Sequence, residues 1–225
     1  MFLKVLAATL LILALGVYLS TINAPQNNQQ RLNVGFPWKI ENLESGHTRV
    51  FNLIVGQSTL HDAQQQFKEI AEITLFYPPD KEPVKEPVIE AFFNDIKIAG
   101  LKSKMVMSIE LPADKIIAMF ERGARIATLG SGTRKVTLSS ADAALVRQSP
   151  ITSITYLPSI NLSAELLEKR FGQPNEKIAD AQSDAVHWLY PEKGVDIALS
   201  ESEKDVILYV MPEKFDALIK PLKNK

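Results

Sequence analysis

Between residues 186 and 210 apolar and polar positions alternate with a period of two. Val186, Trp188 and Tyr190 fall on one side of an extended chain, as do Val195, Ile197 and Leu199, and then Val206, Leu208 and Val210. Pro191 to Gly194 and Ser200 to Asp205 separate these runs with turn-forming residues, so the pattern predicts a three-stranded antiparallel meander. Upstream the period changes to that of a helix. Leu162, Leu166, Leu167 and Phe171 share a face, Asn161 or Ser163 can cap the start, and Gly172 with Pro174 stops it. Downstream, Pro212 suits the first position of a helix, in which Phe215, Leu218, Ile219 and Leu222 recur at helical spacing.

The same order occurs about 100 residues earlier in the chain. Thr59 and Asp62 form a capping-box pattern ahead of Leu60, Ala63 and Phe67. Asn94-Asp95 reads as the turn after a first strand, Met105, Met107, Ile109 and Leu111 line one face of a later one, and Pro112 opens a helix. The expected fold is therefore α+β, with two pseudo-repeats behind an N-terminal transmembrane helix. Each repeat is a helix plus a three-stranded antiparallel meander with a flanking C-terminal helix. The expected divisions are a membrane anchor at 1–23, a spacer and lead-in at 24–48, the first repeat at 49–124, a connector at 125–150 and the second repeat at 151–225. In the connector, Gly130-Ser131-Gly132 reads as a turn and Ser140 starts a short helix. The proline- and charge-rich run from Pro78 to Pro87 reads as a stiff, solvated loop.

Val5 to Ile22 carries no charge, and about 18 residues of helix span about 27 Å, enough for a hydrocarbon core. A cleaved signal peptide and a retained anchor compete for this segment. Cleavage after Ala24 would place Ile22 where a small residue is preferred and Pro25 just beyond the cut, so a retained single-pass anchor is expected. The expected placement is the bacterial inner membrane, held through residues 5–22, with the globular part in the periplasm. The Asn/Gln-rich stretch from Ala24 to Arg31 reads as a flexible spacer.

Composition narrows the chemistry. A 46% hydrophobic and 23% charged chain can build a core, and 25 basic against 26 acidic residues leave no footprint for nucleic acid. The absence of Cys excludes disulfides, thiolate nucleophiles and Cys-ligated zinc.

Phe171, Gly172, Pro174, Trp188 and Tyr190 form a Phe-Gly-x-Pro, polar loop, Trp-x-Tyr series. In this respect the second copy, and less clearly the first, resembles the SmpA/OmlA (BamE-like) family of small bacterial envelope proteins. The tandem layout is similar to that of the secreted β-lactamase inhibitor proteins. The resemblance implies a protein-binding or scaffolding role in the cell envelope, without catalytic residues or a cofactor. Members of that family are usually lipid-anchored through a Cys, which this chain lacks.

No catalytic pattern stands out among the remaining residues. His47, His61 and His187 belong to no metal-binding spacing, and His187, next to Trp188, reads as a surface strand residue. Gly130-Ser131-Gly132-Thr133-Arg134-Lys135 lacks the glycine spacing of a phosphate loop. There is no Gly-x-Ser-x-Gly elbow, and Glu110 and Glu201 read as exposed charges. Phe92, Phe93, Trp188 and Tyr190 read as core, with a ligand groove as the alternative. Lys169 and Arg170, balanced by Glu165 and Glu168, read as a solvated helix face. The expectation is thus no catalytic, cofactor or metal residue, no assigned binding residue, and a non-catalytic module that binds another envelope protein. A carrier of a lipid or small apolar ligand in a sheet–helix groove is the alternative, and an enzyme the third reading.

Overall fold

The structure, a computed structural model, describes residues 35–79, 85–98 and 100–223. Val50, Leu53 and Thr48 are buried on a short hairpin, which belongs to a three-stranded sheet of β1 (Glu41–Asn42), β2 (Thr48–Val50) and β3 (Leu53–Ile54). The rest is organised by one ten-stranded antiparallel sheet. Its strands are β4 (Glu72–Tyr77), β5 (Val88–Ile98), β6 (Leu101–Ile109), β7 (Arg125–Thr128), β8 (Arg134–Thr137), β9 (Ile151–Pro158), β10 (Glu176–Ala179), β11 (Val186–Tyr190), β12 (Val195–Leu199) and β13 (Val206–Val210). They lie in the order β10-β11-β12-β13-β9-β6-β5-β4-β8-β7.

This corrects the expected two-repeat α+β organisation. β9, which should have belonged to the second copy alone, pairs with β13 on one side and with β6 on the other. The connector adds β7 and β8, which extend the sheet beyond β4, and residues 176–179, expected as loop, form the opposite edge. Backbone pairing runs unbroken across both expected repeats, so neither is a closed three-stranded unit. The Asn94-Asp95 turn is also corrected. Both residues sit inside β5 at a register shift, where the Glu69 carboxylate accepts the N–H groups of Asn94 at 2.8 Å and Asp95 at 3.1 Å.

The expected transmembrane helix and the single-pass inner-membrane, periplasmic placement are set aside as well. Among the described residues no helix is long and apolar enough to cross a membrane, and the run Val5–Ile22 lies outside them.

Among the described residues, five short α-helices pack on the sheet: α1 (Leu60–Phe67), α2 (Ala113–Glu121), α3 (Ser140–Arg147), α4 (Ala164–Phe171) and α5 (Phe215–Lys223). The Thr59/Asp62 capping box is present, and Ser139 and Ser163 cap α3 and α4. One face of the sheet, with Ile89, Phe93, Met107 and Ile154, forms the main core together with residues of α1 to α4. α5 serves the opposite face, where Phe215 and Ile219 pack on Leu189 and Val210. Of the four aromatics expected in one layer, Phe93, Trp188 and Tyr190 are buried in the main core, whereas Phe92 points to the other face. Adjacent strand residues cannot share a face.

Close contacts fix the turns. Gly194, between β11 and β12, has φ +64, and a Cβ there would lie 2.1 Å from the Val210 carbonyl oxygen. Arg122, just beyond α2, forks onto the buried Asp142 of α3 at 2.5 and 3.0 Å, and that pairing holds the Asp142 carboxyl below its ordinary range.

Candidate functional site

α4 does not close fully on the sheet. Its Leu167 and Phe171 are buried, but Leu162 and Leu166, expected to be core, are half-buried. Both line a gap between the helix, the end of the β5–β6 hairpin at Ile98 and Leu101, and the end of β9 from Pro158 to Ile160. The lead-in residues Phe36, Pro37 and Trp38 form the remaining wall.

Local chemistry holds each wall in place. The Tyr209 hydroxyl donates to the Pro37 carbonyl at 2.9 Å, pinning the lead-in to β13. Phe36 and Trp38 stack with ring centroids 5.0 Å apart and planes 9° from parallel. The C-terminal end of α4 is held by the Tyr190 hydroxyl, which donates to the Gly172 carbonyl at 2.9 Å, and by the Lys193 ammonium on the Phe171 carbonyl. The loop before α4 is held by the buried Asp205, whose carboxylate accepts the Leu162 N–H at 2.5 Å.

The gap has a volume of about 90 Å³. Its rim is apolar and wet: Phe36 and Leu101 are each 45% exposed and Ile160 is 49% exposed. On its floor the Tyr156 and Ser103 hydroxyls bond to each other at 3.0 Å, and burial raises the Tyr156 pKa. No buried side-chain nitrogen or oxygen among the described residues lacks a hydrogen-bond partner. Among the described residues Arg170 is the one charged residue in the lining, and its guanidinium carbon lies 4.8 Å from the Trp38 ring centroid. Lys169 and Arg170 are both exposed, as expected of a solvated helix face, and Arg170 in addition reaches the Trp38 ring. The arrangement can receive an apolar group and offer one cation at its mouth.

The histidines lie elsewhere. His187 is not a free surface residue: its Nδ1 lies 2.8 Å from the Asp196 carboxylate, with its side chain 15% exposed. That bond raises the His187 pKa against the opposing effect of burial. His61 is exposed on α1, and His47 lies 3.1 Å from the Ser45 carbonyl. No group of three or more His, Cys, Asp or Glu among the described residues is arranged to hold a metal ion. Phe36, Trp38, Leu101 and Ile160 carried no functional assignment from sequence. The available signal was a Phe-Pro-Trp run outside any periodic element, together with apolar residues placed at turns.

No protein-family profile matches the chain, and no curated protein matches it. Among solved structures, a DUF4309 family protein (YjgB) from Bacillus subtilis is similar over 74% of this chain and 88% of its own, at 11% identity and a TM-score of 0.34. A likeness that low carries no argument, and the finding does not concern the SmpA/OmlA family.

Proposed function

We propose that this protein is a non-catalytic binding module that grips another protein by taking one of its apolar side chains into the gap beneath α4. The observation that carries this reading is the size of the gap together with its exposed apolar rim. Small-molecule pockets enclose about 300–1,000 Å³, and a dry cavity of about 150 Å³ holds a benzene ring. A volume of about 90 Å³ suits part of a single aliphatic or aromatic side chain. A carrier enclosing a lipid needs several times that space. Protein interfaces, by contrast, concentrate their affinity in an anchor residue that fills such a pocket and is ringed by contacts that exclude water. Phe36, Leu101 and Ile160 are placed to form that ring.

Site-specific photo-crosslinking in native cells tests the reading. A photoreactive residue at Leu101 should trap one discrete polypeptide. The same residue at Ile126, which is 47% exposed on β7 and outside the gap, should not. Equal trapping at both positions, or none at Leu101, overturns the proposal. Retained lipid seen as added mass by native mass spectrometry assigns the gap to the carrier reading instead.

A further inference from the structure

Resting on that binding reading, we infer that the partner segment is an extended acidic–apolar peptide. One apolar side chain enters the gap, and a carboxylate at a neighbouring position pairs with Arg170. Three observations support this choice of occupant.

First, the Arg170 guanidinium carbon lies 4.8 Å from the Trp38 ring centroid, a cation–π contact. Such a contact does not use up the five N–H donors of the guanidinium, which can still fork onto a carboxylate. Among the described residues no carboxylate forms an ion pair with Arg170, whereas Glu168, two positions earlier, is 3.7 Å from Lys177.

Second, among the described residues no Asp or Glu lines the gap. Asp205, which holds the loop before α4 and is not part of the lining, accepts the N–H groups of Leu162 and Ser200. On the far rim the Lys204 ammonium donates to the Ser159 carbonyl at 3.4 Å, adding a second positive charge beside Ile160. Arg170 in the lining and Lys204 against Ser159 thus place two positive charges where an anionic group of a partner could meet them.

Third, the Tyr156–Ser103 pair closes the floor. A carboxylate sent to the bottom would exchange its hydration shell for at most one hydroxyl donor and would be disfavoured. The charge of the ligand must stay at the mouth while its apolar part goes in. This is the order of groups in a peptide that pairs Leu, Phe or Met with Asp or Glu.

The test is selection of a displayed random heptapeptide library on the immobilised full-length protein, run in parallel on Arg170→Gln and Leu101→Gln. Both positions are solvent-accessible, so both variants should keep the fold. The wild type should enrich peptides that place Asp or Glu within two positions of an aliphatic or aromatic residue. Arg170→Gln should keep the apolar enrichment and lose the acidic one, and Leu101→Gln should weaken the apolar enrichment. In fluorescence polarisation the best peptide should bind the wild type about fivefold more tightly than its Glu→Gln version, and Arg170→Gln should not distinguish the two. An acidic preference that is absent from the wild type, or that survives Arg170→Gln, overturns the inference and leaves the binding reading standing. Absence of apolar enrichment on the wild type overturns the binding reading itself. If sodium decanoate binds at micromolar concentration and no peptide is selected, the gap belongs to a fatty acid, and both fail.

Discussion

On β11, His187 lies on the face opposite Trp188 and Tyr190, where an exposed imidazole would titrate near about 6.5. Asp196 stands one strand away on the same face and is 7% exposed, so the imidazolium form is held by a carboxylate with little water to compete. The folded-state pKa is raised, with the hydrogen bond to Asp196 as the largest cause. A raised pKa means that the folded chain binds the proton more tightly than the unfolded one. The resulting stabilisation is complete below about pH 6.5 and fades as pH rises through the folded value. His187→Gln should therefore lower stability by about 0.5–1 kcal/mol at pH 6 and by less at pH 8.5, as urea unfolding at the two pH values would show. A mutational effect that grows with pH would contradict this assignment. Alternation alone placed His187 opposite Trp188. It could not show that Asp196 lies diagonally across the strand pair, because the β11–β12 register depends on the turn at Gly194.

At the scale of elements, the β2–β3 hairpin turns through Phe51 and Asn52, both with positive φ, 53° and 61°. An aromatic residue is unfavourable in that conformation. Phe51 is nevertheless 1% exposed, with its ring 5.5 Å from Tyr156 and 5.6 Å from Tyr209. Burial of a phenyl ring is worth about 3–5 kcal/mol against truncation, which outweighs a backbone penalty of about 1–2 kcal/mol. Phe51→Ala should thus destabilise by about 3 kcal/mol. Phe51→Gly removes the same ring but relieves the backbone, and should cost about 1 kcal/mol less in urea unfolding. A glycine variant less stable than the alanine one would show that the turn is not strained. The helices were the more legible elements here. Thr59, Asp62, Leu60, Ala63 and Phe67 act within two turns of one another, and their pattern matches the structure. The bulge at Asn94-Asp95 was misread as a turn because its N–H partner, Glu69, lies 25 residues upstream of Asn94.

At the scale of the whole molecule, β9 decides the architecture. Its pairing with both β6 and β13 joins the two expected repeats through continuous backbone hydrogen bonds. Two independent units would melt separately, with the fluorescence of Trp38 and Trp188 parting from the circular-dichroism signal of the sheet. A single sheet with one main core should unfold in one transition that both probes follow with the same midpoint. Two resolved transitions among the sheet signals would restore the picture of separate repeats. The gap beneath α4 also belongs to this scale, since its walls come from the lead-in, the β5–β6 hairpin, the end of β9 and α4, elements far apart in sequence. Leu162 and Leu166 look the same as core residues in the sequence, because period reports which side of a helix is apolar and not whether another element covers it.

The amino-acid sequence by itself determined short-range features: the helix cap at Thr59, the faces carrying Trp188 and Tyr190 on β11 and Val195 and Ile197 on β12, the turn at Gly130 to Gly132 and the exclusion of thiol chemistry. These follow from interactions within a few residues or from composition alone. On β13, where every residue is apolar, the main core takes Ile207 and Tyr209 and not the expected Val206, Leu208 and Val210. Only the tertiary structure decided that β9 bridges the halves, that Asp196 meets His187 and that Arg170 stands over Trp38 at the mouth of an apolar gap. Backbone hydrogen bonds are alike for any pair of strands. Which strands pair, and which apolar residues stay uncovered, is settled by how the whole chain packs at once.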